Sequence, residues 1–274
     1  MKLSNDQHRQ VIEHNRRAWN KHSRDGIEWC IPVSRQIIES ARHGDWDVIL
    51  SPKRTVPKEW FGDLNGKQLL CLASGGGQQA PILAAAGAIV TSFDLSDEQL
   101  ERDREVAKRN NLEMKFVQGD MADLSGFDAE YFDLIFHPVS NVFIPDVETV
   151  WKECFRILKP GGDLLAGFMN PVFFIFDQFE ADRTGELKVK YSLPYSEPES
   201  LDDWGRNEIE ESGRPLEFGH LLESQIGGQI KAGFHITGFY EDEWTGEATP
   251  LNDYCPVYIV TKATKPLSDN SDNF

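Results

Sequence analysis

The sequence predicts an α/β protein, a mostly parallel sheet with helices on both faces. Three observations carry this. From residue 67 onward, short apolar runs alternate with stretches of helical period. The first run, LLCLAS, meets Gly75, Gly76 and Gly77 just where a helical pattern opens. The second run ends in Asp94, 19 residues after Gly75.

Taken in order, residues 5–23 read as a polar helix with Ile12 and Trp19 among its few large apolar groups. A second helix follows at 33–42, then a loop at 44–66 containing Pro and Trp. The alternating region reads as strand 68–73, helix 78–86, strand 88–93, helix 97–110, strand 114–118, strand 131–136, helix 146–158 and strand 163–169. Ser96 with Gln99 three residues on makes a capping box for the helix at 97. Val147, Val150, Trp151, Cys154, Phe155 and Leu158 line one face of the helix at 146–158. Lys159-Pro160-Gly161-Gly162 then stops it and turns the chain into the next strand. After Asn170-Pro171 the rhythm breaks, and 171–218 reads as an insertion rich in aromatics and acids. A helix at 220–232, weakened by about 1 kcal/mol at each of Gly227 and Gly228, and strands at 234–240 and 256–262 resume the sheet.

Composition bounds the function. The 274 residues are 40% hydrophobic and 27% charged, enough for one sizeable core. With 28 Lys+Arg against 45 Asp+Glu the net charge is −17, and no run of basic residues exceeds two. Such a surface repels a phosphate backbone, so neither nucleic acid nor an anionic membrane is expected as partner. Cys30, Cys71, Cys154 and Cys255 form no CxxC pair, which predicts no metal site and a reducing, cytoplasmic setting. The N-terminus is too polar for a signal peptide, and LLAGFMNPVFFIF (164–176) is too short and broken to span a bilayer. The tail from 265 to 274 reads as disordered. No signal of oligomeric state is present.

In a parallel sheet a ligand sits beyond the carboxyl ends of the strands, where strand order reverses. Glycines at such an end let backbone N–H groups approach a ligand, and the helix start behind them favours an anion. Asp94 stands where an acid accepts both hydroxyls of a ribose. A dinucleotide satisfies this pattern, and Gly75-x-Gly77-x-x-Ala80 fits its fingerprint literally. S-adenosylmethionine satisfies it too, with its carboxylate as the anion.

The stretch 67–170 resembles the cofactor domain of class I S-adenosylmethionine-dependent methyltransferases. LLCLASGGG is similar to that family's first motif, SFDLS to its second, VQGDMADL (117–124) to its third and YFDLIFHPV (131–139) to its fourth strand. VWKECFRILKPGGDLL (150–165) resembles the helix, turn and strand that follow, the most specific piece. The resemblance implies a Rossmann-like, doubly wound sheet of seven strands with the last antiparallel. N-terminal helices precede it, as a lid over 1–66, and the insertion 171–218 follows strand five within a domain over 67–264. It implies S-adenosyl-L-methionine as cofactor, held by Ala73, Ser74, Gly75, Gly76 and Gly77, by Asp94 and Leu95, by Asp120 and Met121 at the adenine, and beside His137. Two departures stand out: Cys71 occupies the position of the family's acid, and Ala73 that of its first glycine.

Methyl transfer needs alignment more than a base. His137, ending the fourth strand, is the base candidate beside a plainer reading as a hydrogen-bonded strand-end histidine. Asn141, Asn170 and Tyr195 are candidates for the acceptor side, with Tyr191, His220 and Glu223 behind them, and Trp19 for a lid over the cofactor. The expected function is methylation of a small-molecule acceptor. The alternatives are a non-catalytic S-adenosylmethionine- or nucleotide-binding module and an NAD-type dinucleotide-binding protein. The motif His137-Pro138-Val139-Ser140 departs from the Asn-Pro-Pro-Tyr of enzymes that methylate amide or base nitrogens.

Overall fold

The computed structural model describes residues 4–246 and 248–267. Seven strands form one sheet: β1 Gln68–Leu72, β2 Ile89–Asp94, β3 Met114–Gln118, β4 Phe132–His137, β5 Leu158–Met169, β6 His235–Asp242 and β7 Tyr258–Thr264. Their order across the sheet is β3-β2-β1-β4-β5-β7-β6. Strands β1 to β5 pair in parallel, and β7 alone runs antiparallel, to both β5 and β6. This is the expected Rossmann-like arrangement. Strand order reverses between β1 and β4, which opens the crevice where a ligand belongs.

The central strands are apolar on both faces because helices cover both. Leu69 and Cys71 face one core with Ile38, Phe61, Leu83 and Phe136. Leu70 and Leu72 face the other, against Val150, Trp151 and Cys154. The covering helices are α2 Arg35–Arg42, α3 Gln79–Ala85, α4 Asp97–Asn110 and α5 Val147–Ile157, and α1 Asn5–Asp25 packs outside them against α4. Helix α1 opens on a capping box between Ser4 and Gln7 and closes at Gly26 in the left-handed region. At α4 only half of the expected capping box forms: Ser96 accepts from the Gln99 main-chain N–H, while the Ser96 N–H goes to Asp94 at 2.8 Å instead of to the Gln99 side chain.

Three other local expectations need correction. Strand β5 starts at Leu158, directly after α5, rather than at 163. Leu158 pairs with Phe132 and Asp163 with Leu134, so Lys159–Gly162 bulge out of a continuous strand. The helix expected at 220–232 is a π turn, Glu223–Gly227, followed by one turn of α-helix, Gly228–Ala232. The indole of Trp151 causes this: its Nε1–H donates to the Ser224 carbonyl at 3.0 Å and opens the ladder. The insertion also holds more regular structure than its sequence suggests, including helices Gln178–Thr184 and Asp203–Ser212. A short antiparallel ladder joins Tyr195–Ser196 to Phe218–Gly219.

Of the tail expected from 265, Lys265 is buried and donates to the Phe155 and Leu158 carbonyls at 3.0 and 2.8 Å. Residues 268–274 lie outside the described residues. Among the described residues no helix is long and apolar enough to cross a membrane.

Candidate active site

The turn from β1 into α3 is held by its neighbours. Ala73 sits at φ +49°, in the left-handed region that glycine adopts most easily. The Gly75 amide donates to Asp94 Oδ2 at 2.9 Å, Gly76 to the Gln99 carbonyl at 3.0 Å, and Gly77 to Asp103 Oδ1 at 2.7 Å. The expectation that these three amides receive an anion is therefore corrected: each is already paired. The glycines serve close approach instead. A Cβ on Gly75 would stand 2.7 Å from Gln99 Cβ, and one on Gly77, at φ +78°, would stand 2.9 Å from Pro32 Cβ.

Asp103 also answers the question left by Cys71. The cysteine is buried in the sheet, and loss of solvation pushes its thiol well up, so it holds no charge. Asp103, on α4, accepts from both Gly77 N–H and Ser92 Oγ–H, the latter at 2.5 Å. Burial raises its carboxyl to about 7 against those two hydrogen bonds. The loop is thus braced by a carboxylate from a neighbouring helix rather than from β1.

A cavity of ≈ 440 Å³ opens beyond the ends of β1, β2 and β4. Ala73, Ser74 and Gly75 line it, as do Asp94, Leu95, Asp120 and Met121. Gly76 and Gly77 lie behind the loop and are not among its lining residues. Asp94 accepts from Ser96 N–H at 2.8 Å as well as from Gly75, leaving lone pairs free. Burial raises its carboxyl to about 6, with the Ser96 and Gly75 amides pulling the other way. Asp120 accepts from Ala122 N–H at 3.0 Å, and His8 Nε2 of α1 stands 3.3 Å from its other oxygen.

Helix α1 closes the roof through Ile12, Asn15, Trp19 and His22. Trp19 sets its edge on Phe143 and against His22, at centroid distances of 5.1 and 5.4 Å. Asn15 ties three segments together. Its amide nitrogen donates to the Phe143 and Leu216 carbonyls at 2.9 and 3.1 Å, and its oxygen accepts from Leu216 N–H at 2.7 Å. The helix is pinned to α4 by Asn20, which contacts Asp97 and Ser96 at 2.8 and 2.5 Å.

His137 is removed from the base role by its surroundings. It is fully buried, does not line the cavity, and packs edge-on against Trp151. Its Nδ1–H donates to the Leu72 carbonyl at 2.9 Å, and Nε2 lies 2.7 Å from the Asn141 side-chain amide. Burial lowers its pKa and so favours the neutral ring. Asn141 faces Nε2 with Oδ1 and donates through Nδ2 to Gln225 Oε1 at 3.1 Å. This closed polar network fixes the β4 end and offers no free nitrogen to a substrate.

The other acceptor-side candidates also fall away from the cavity. Asn141 is fully buried in that network, and His220 Nε2 bonds its carbonyl at 3.0 Å. Asn170 caps the turn Pro171–Ile175 through its oxygen and donates to the Pro256 carbonyl. Tyr195 is buried between Phe174 and Tyr191. Glu223 sits exposed on the π turn. Met169, Arg214, Glu217, Trp244, Tyr258 and Ser51 line the cavity as well. Sequence reasoning missed all of these. Met169 and Tyr258 are partners across β5 and β7, a register no local pattern announces.

The cavity has the donors and acceptors that the cofactor needs. Among the described residues, Ser74 Oγ, Gln99 Oε1 and His22 Nδ1 are buried on it without a hydrogen-bond partner. Such groups cost free energy until a ligand pairs with them. Asp94 keeps acceptor capacity beyond its two amide bonds, and Phe93, Asp120 and Met121 line the same cavity.

Comparison with known proteins agrees. A methyltransferase-domain family model matches residues 70–166. The uncharacterized methyltransferase YbaJ of Bacillus subtilis is 49% identical over 255 residues, which cover 93% of this chain and 98% of that protein. The ubiquinone biosynthesis O-methyltransferase of Coxiella burnetii is 28% identical over 164 residues, 58% of this chain and 70% of its own length. In fold, the chain resembles an S-adenosylmethionine-dependent methyltransferase structure from Mesorhizobium loti, with a TM-score of 0.59, 17% identity, and coverage of 76% of this chain and 94% of that one. With near full-length similarity to a methyltransferase, the motifs in order and this sheet topology, the chain belongs to the class I S-adenosylmethionine-dependent methyltransferase family, and S-adenosylmethionine is its cofactor.

Proposed function

We propose that the protein transfers a methyl group to a small-molecule acceptor bound at the Met169–Trp244–Tyr258 end of the cavity. The observation that carries this reading is the continuity of one cavity from Asp94 and Asp120 to Trp244 and Tyr258. S-adenosylmethionine, when bound, supplies a methyl carbon already activated on a sulfonium. Asp94 would hold the ribose hydroxyls, and Asp120 with Met121 the adenine. Ser74, Gln99 and His22 would serve the amino-acid end. The chain's remaining work is to align the acceptor and exclude water, contributing on the order of 7–11 kcal/mol when geometry is right.

In this reading 1–66 act as a lid through α1, and 171–218 as the acceptor-site insertion within a domain over 67–264. Trp19 and Asn15 support the first, and the Asn15 bonds to Leu216 support the second. A net charge of −17 argues against a nucleic-acid acceptor, and the mostly apolar lining against a large polar one. Four free cysteines favour a reducing, cytoplasmic setting. Calorimetry tests the reading: S-adenosylhomocysteine binds and NAD does not. Tight NAD binding with no response to S-adenosylhomocysteine would replace it with a dinucleotide-binding function.

A further inference from the structure

The acceptor end contains one carboxylate that the fold leaves open. Glu197 and Glu217 share a single guanidinium, Arg214, but unequally. Arg214 Nη2 donates to Glu197 Oε1 at 2.5 Å, and Glu197 Oε2 accepts from the Glu217 main-chain N–H at 2.8 Å. Glu217 has Arg214 Nη1 at 3.8 Å, beyond hydrogen-bond distance, and its carboxylate takes no hydrogen bond from any described residue. Glu197 is 4% exposed at its side chain and saturated; Glu217 is 28% exposed and lines the cavity.

The position of Glu217 on the cavity wall is fixed by its neighbours. Asn15 holds the adjacent Leu216 by both N–H and C=O, and with the same amide holds Phe143, in the turn just after β4. Beyond it, His220 bonds the Asn141 carbonyl in that same turn. The segment 214–220 is thereby clamped beside the end of β4, at the crevice where a ligand binds in this topology. The same cavity holds Ser74, more than nine-tenths buried with its hydroxyl unpartnered, so it is built to receive a polar ligand.

We propose that Glu217 takes the proton of the acceptor, and that the acceptor is a compact, largely apolar molecule presenting a hydroxyl or amine to it beside Trp244 and Tyr258. This rests on the methyltransferase reading. In the step, the acceptor's O–H or N–H proton passes to a Glu217 oxygen. The lone pair of that heteroatom forms the new bond to carbon, and the carbon–sulfur pair leaves with sulfur as a neutral thioether. Carboxylate becomes carboxylic acid, and solvent later takes the proton.

The electrostatics agree. Burial first and the Glu197 charge second raise the Glu217 carboxyl to about 7, against the pull of Arg214. The other groups facing this cluster are Asp182, His14, Tyr195 and Tyr258. Asp182 adds to the upward push, and His14 Nε2 bonds the Arg214 carbonyl at 2.9 Å. Burial raises both tyrosines far above their ordinary value, so neither competes as a base. A carboxylate that exchanges protons near neutrality suits general-base work.

The test uses the whole protein saturated with S-adenosylhomocysteine and four ring-sized probes: phenol and benzylamine, and the non-donating counterparts anisole and toluene. Calorimetry should find phenol or benzylamine bound roughly tenfold or more tighter than its counterpart. Glu217→Leu, which keeps volume and removes like-charge repulsion, should abolish that preference. Equal binding of donor and non-donor, a preference that survives in Glu217→Leu, or no binding of any probe would each overturn the inference. If Glu217→Leu does not fold, the wild type decides: phenol affinity should drop severalfold from about pH 8 to about pH 6 as Glu217 gains a proton, and a flat profile refutes it. Absence of S-adenosylhomocysteine binding in the first step would instead strike the methyltransferase reading itself.

Discussion

Replacing Asp94 by asparagine should separate what this residue does for the ligand from what it does for the fold. Its carboxylate accepts from Gly75 and Ser96 N–H, yet burial moves it from 3.8 to about 6. That displacement corresponds to about 3 kcal/mol. A carboxyl raised in the folded state binds its proton more tightly there, so its stabilising contribution is present below about pH 4 and is lost as pH rises through about 6. At neutral pH the fold therefore carries a charge it would be more stable without. The Asp94→Asn side chain would relieve this but leave one main-chain amide facing an NH₂ group, a cost of about 1–3 kcal/mol. The two nearly cancel at neutral pH, and the stability difference between variant and wild type should shift in the variant's favour by about 1–2 kcal/mol from about pH 5 to about pH 8. Urea denaturation at the two pH values measures it. In parallel, S-adenosylhomocysteine affinity should fall about 10–150-fold through loss of charge-assisted bonds to the ribose. Unchanged affinity would put the ribose elsewhere; a pH-independent stability difference would mean the carboxylate is not held charged at a cost.

Three further outcomes follow from the site. His137→Ala should cost about 2–4 kcal/mol, since it leaves the Leu72 carbonyl and Asn141 amide unpaired and removes the ring edge from Trp151. Its S-adenosylhomocysteine affinity should be unchanged at a temperature where it is folded, and a loss of affinity would return His137 to the binding site. Gly77→Ala forces φ +78° on a residue with a Cβ and presses on Pro32, so urea unfolding should reveal a loss of about 1–2 kcal/mol or more; wild-type stability would contradict the loop geometry. Asn15→Ala cuts three hydrogen bonds between α1, Phe143 and Leu216, and hydrogen exchange at the Leu216 amide should accelerate; unaltered protection would mean the clamp is held by something else.

The sheet was legible because its inner strands are buried on both faces, so LLCL and LIF stand out as continuous apolar runs. Helix α4 announced itself through Ser96 and Gln99. That Ser74, Gly75, Asp94 and Asp120 converge on one cavity was legible for the same reason: all sit at or just after ends of strands whose order the topology fixes. What escaped depends on contacts distant in sequence. Asp103 looks like one more charge on a helix reading DEQLERDREVAKRN, and only packing turns it toward Gly77 and Ser92. Glu217 lies in a stretch without period, and its place is set by Asn15 on the first helix. His137 misled because a strand-end histidine looks available, whereas Leu72 and Asn141 already hold both its nitrogens. The π turn at Glu223–Gly227 likewise depends on Trp151, an indole from another helix.

A crystal structure with S-adenosylhomocysteine bound tests the central claim most directly. The account predicts the ribose on Asp94, the adenine beside Asp120 and Met121, and the sulfur directed along the cavity toward Glu217 and Tyr258. Adenosine bound outside that set of residues, or a sulfur turned away from Glu217, would contradict it.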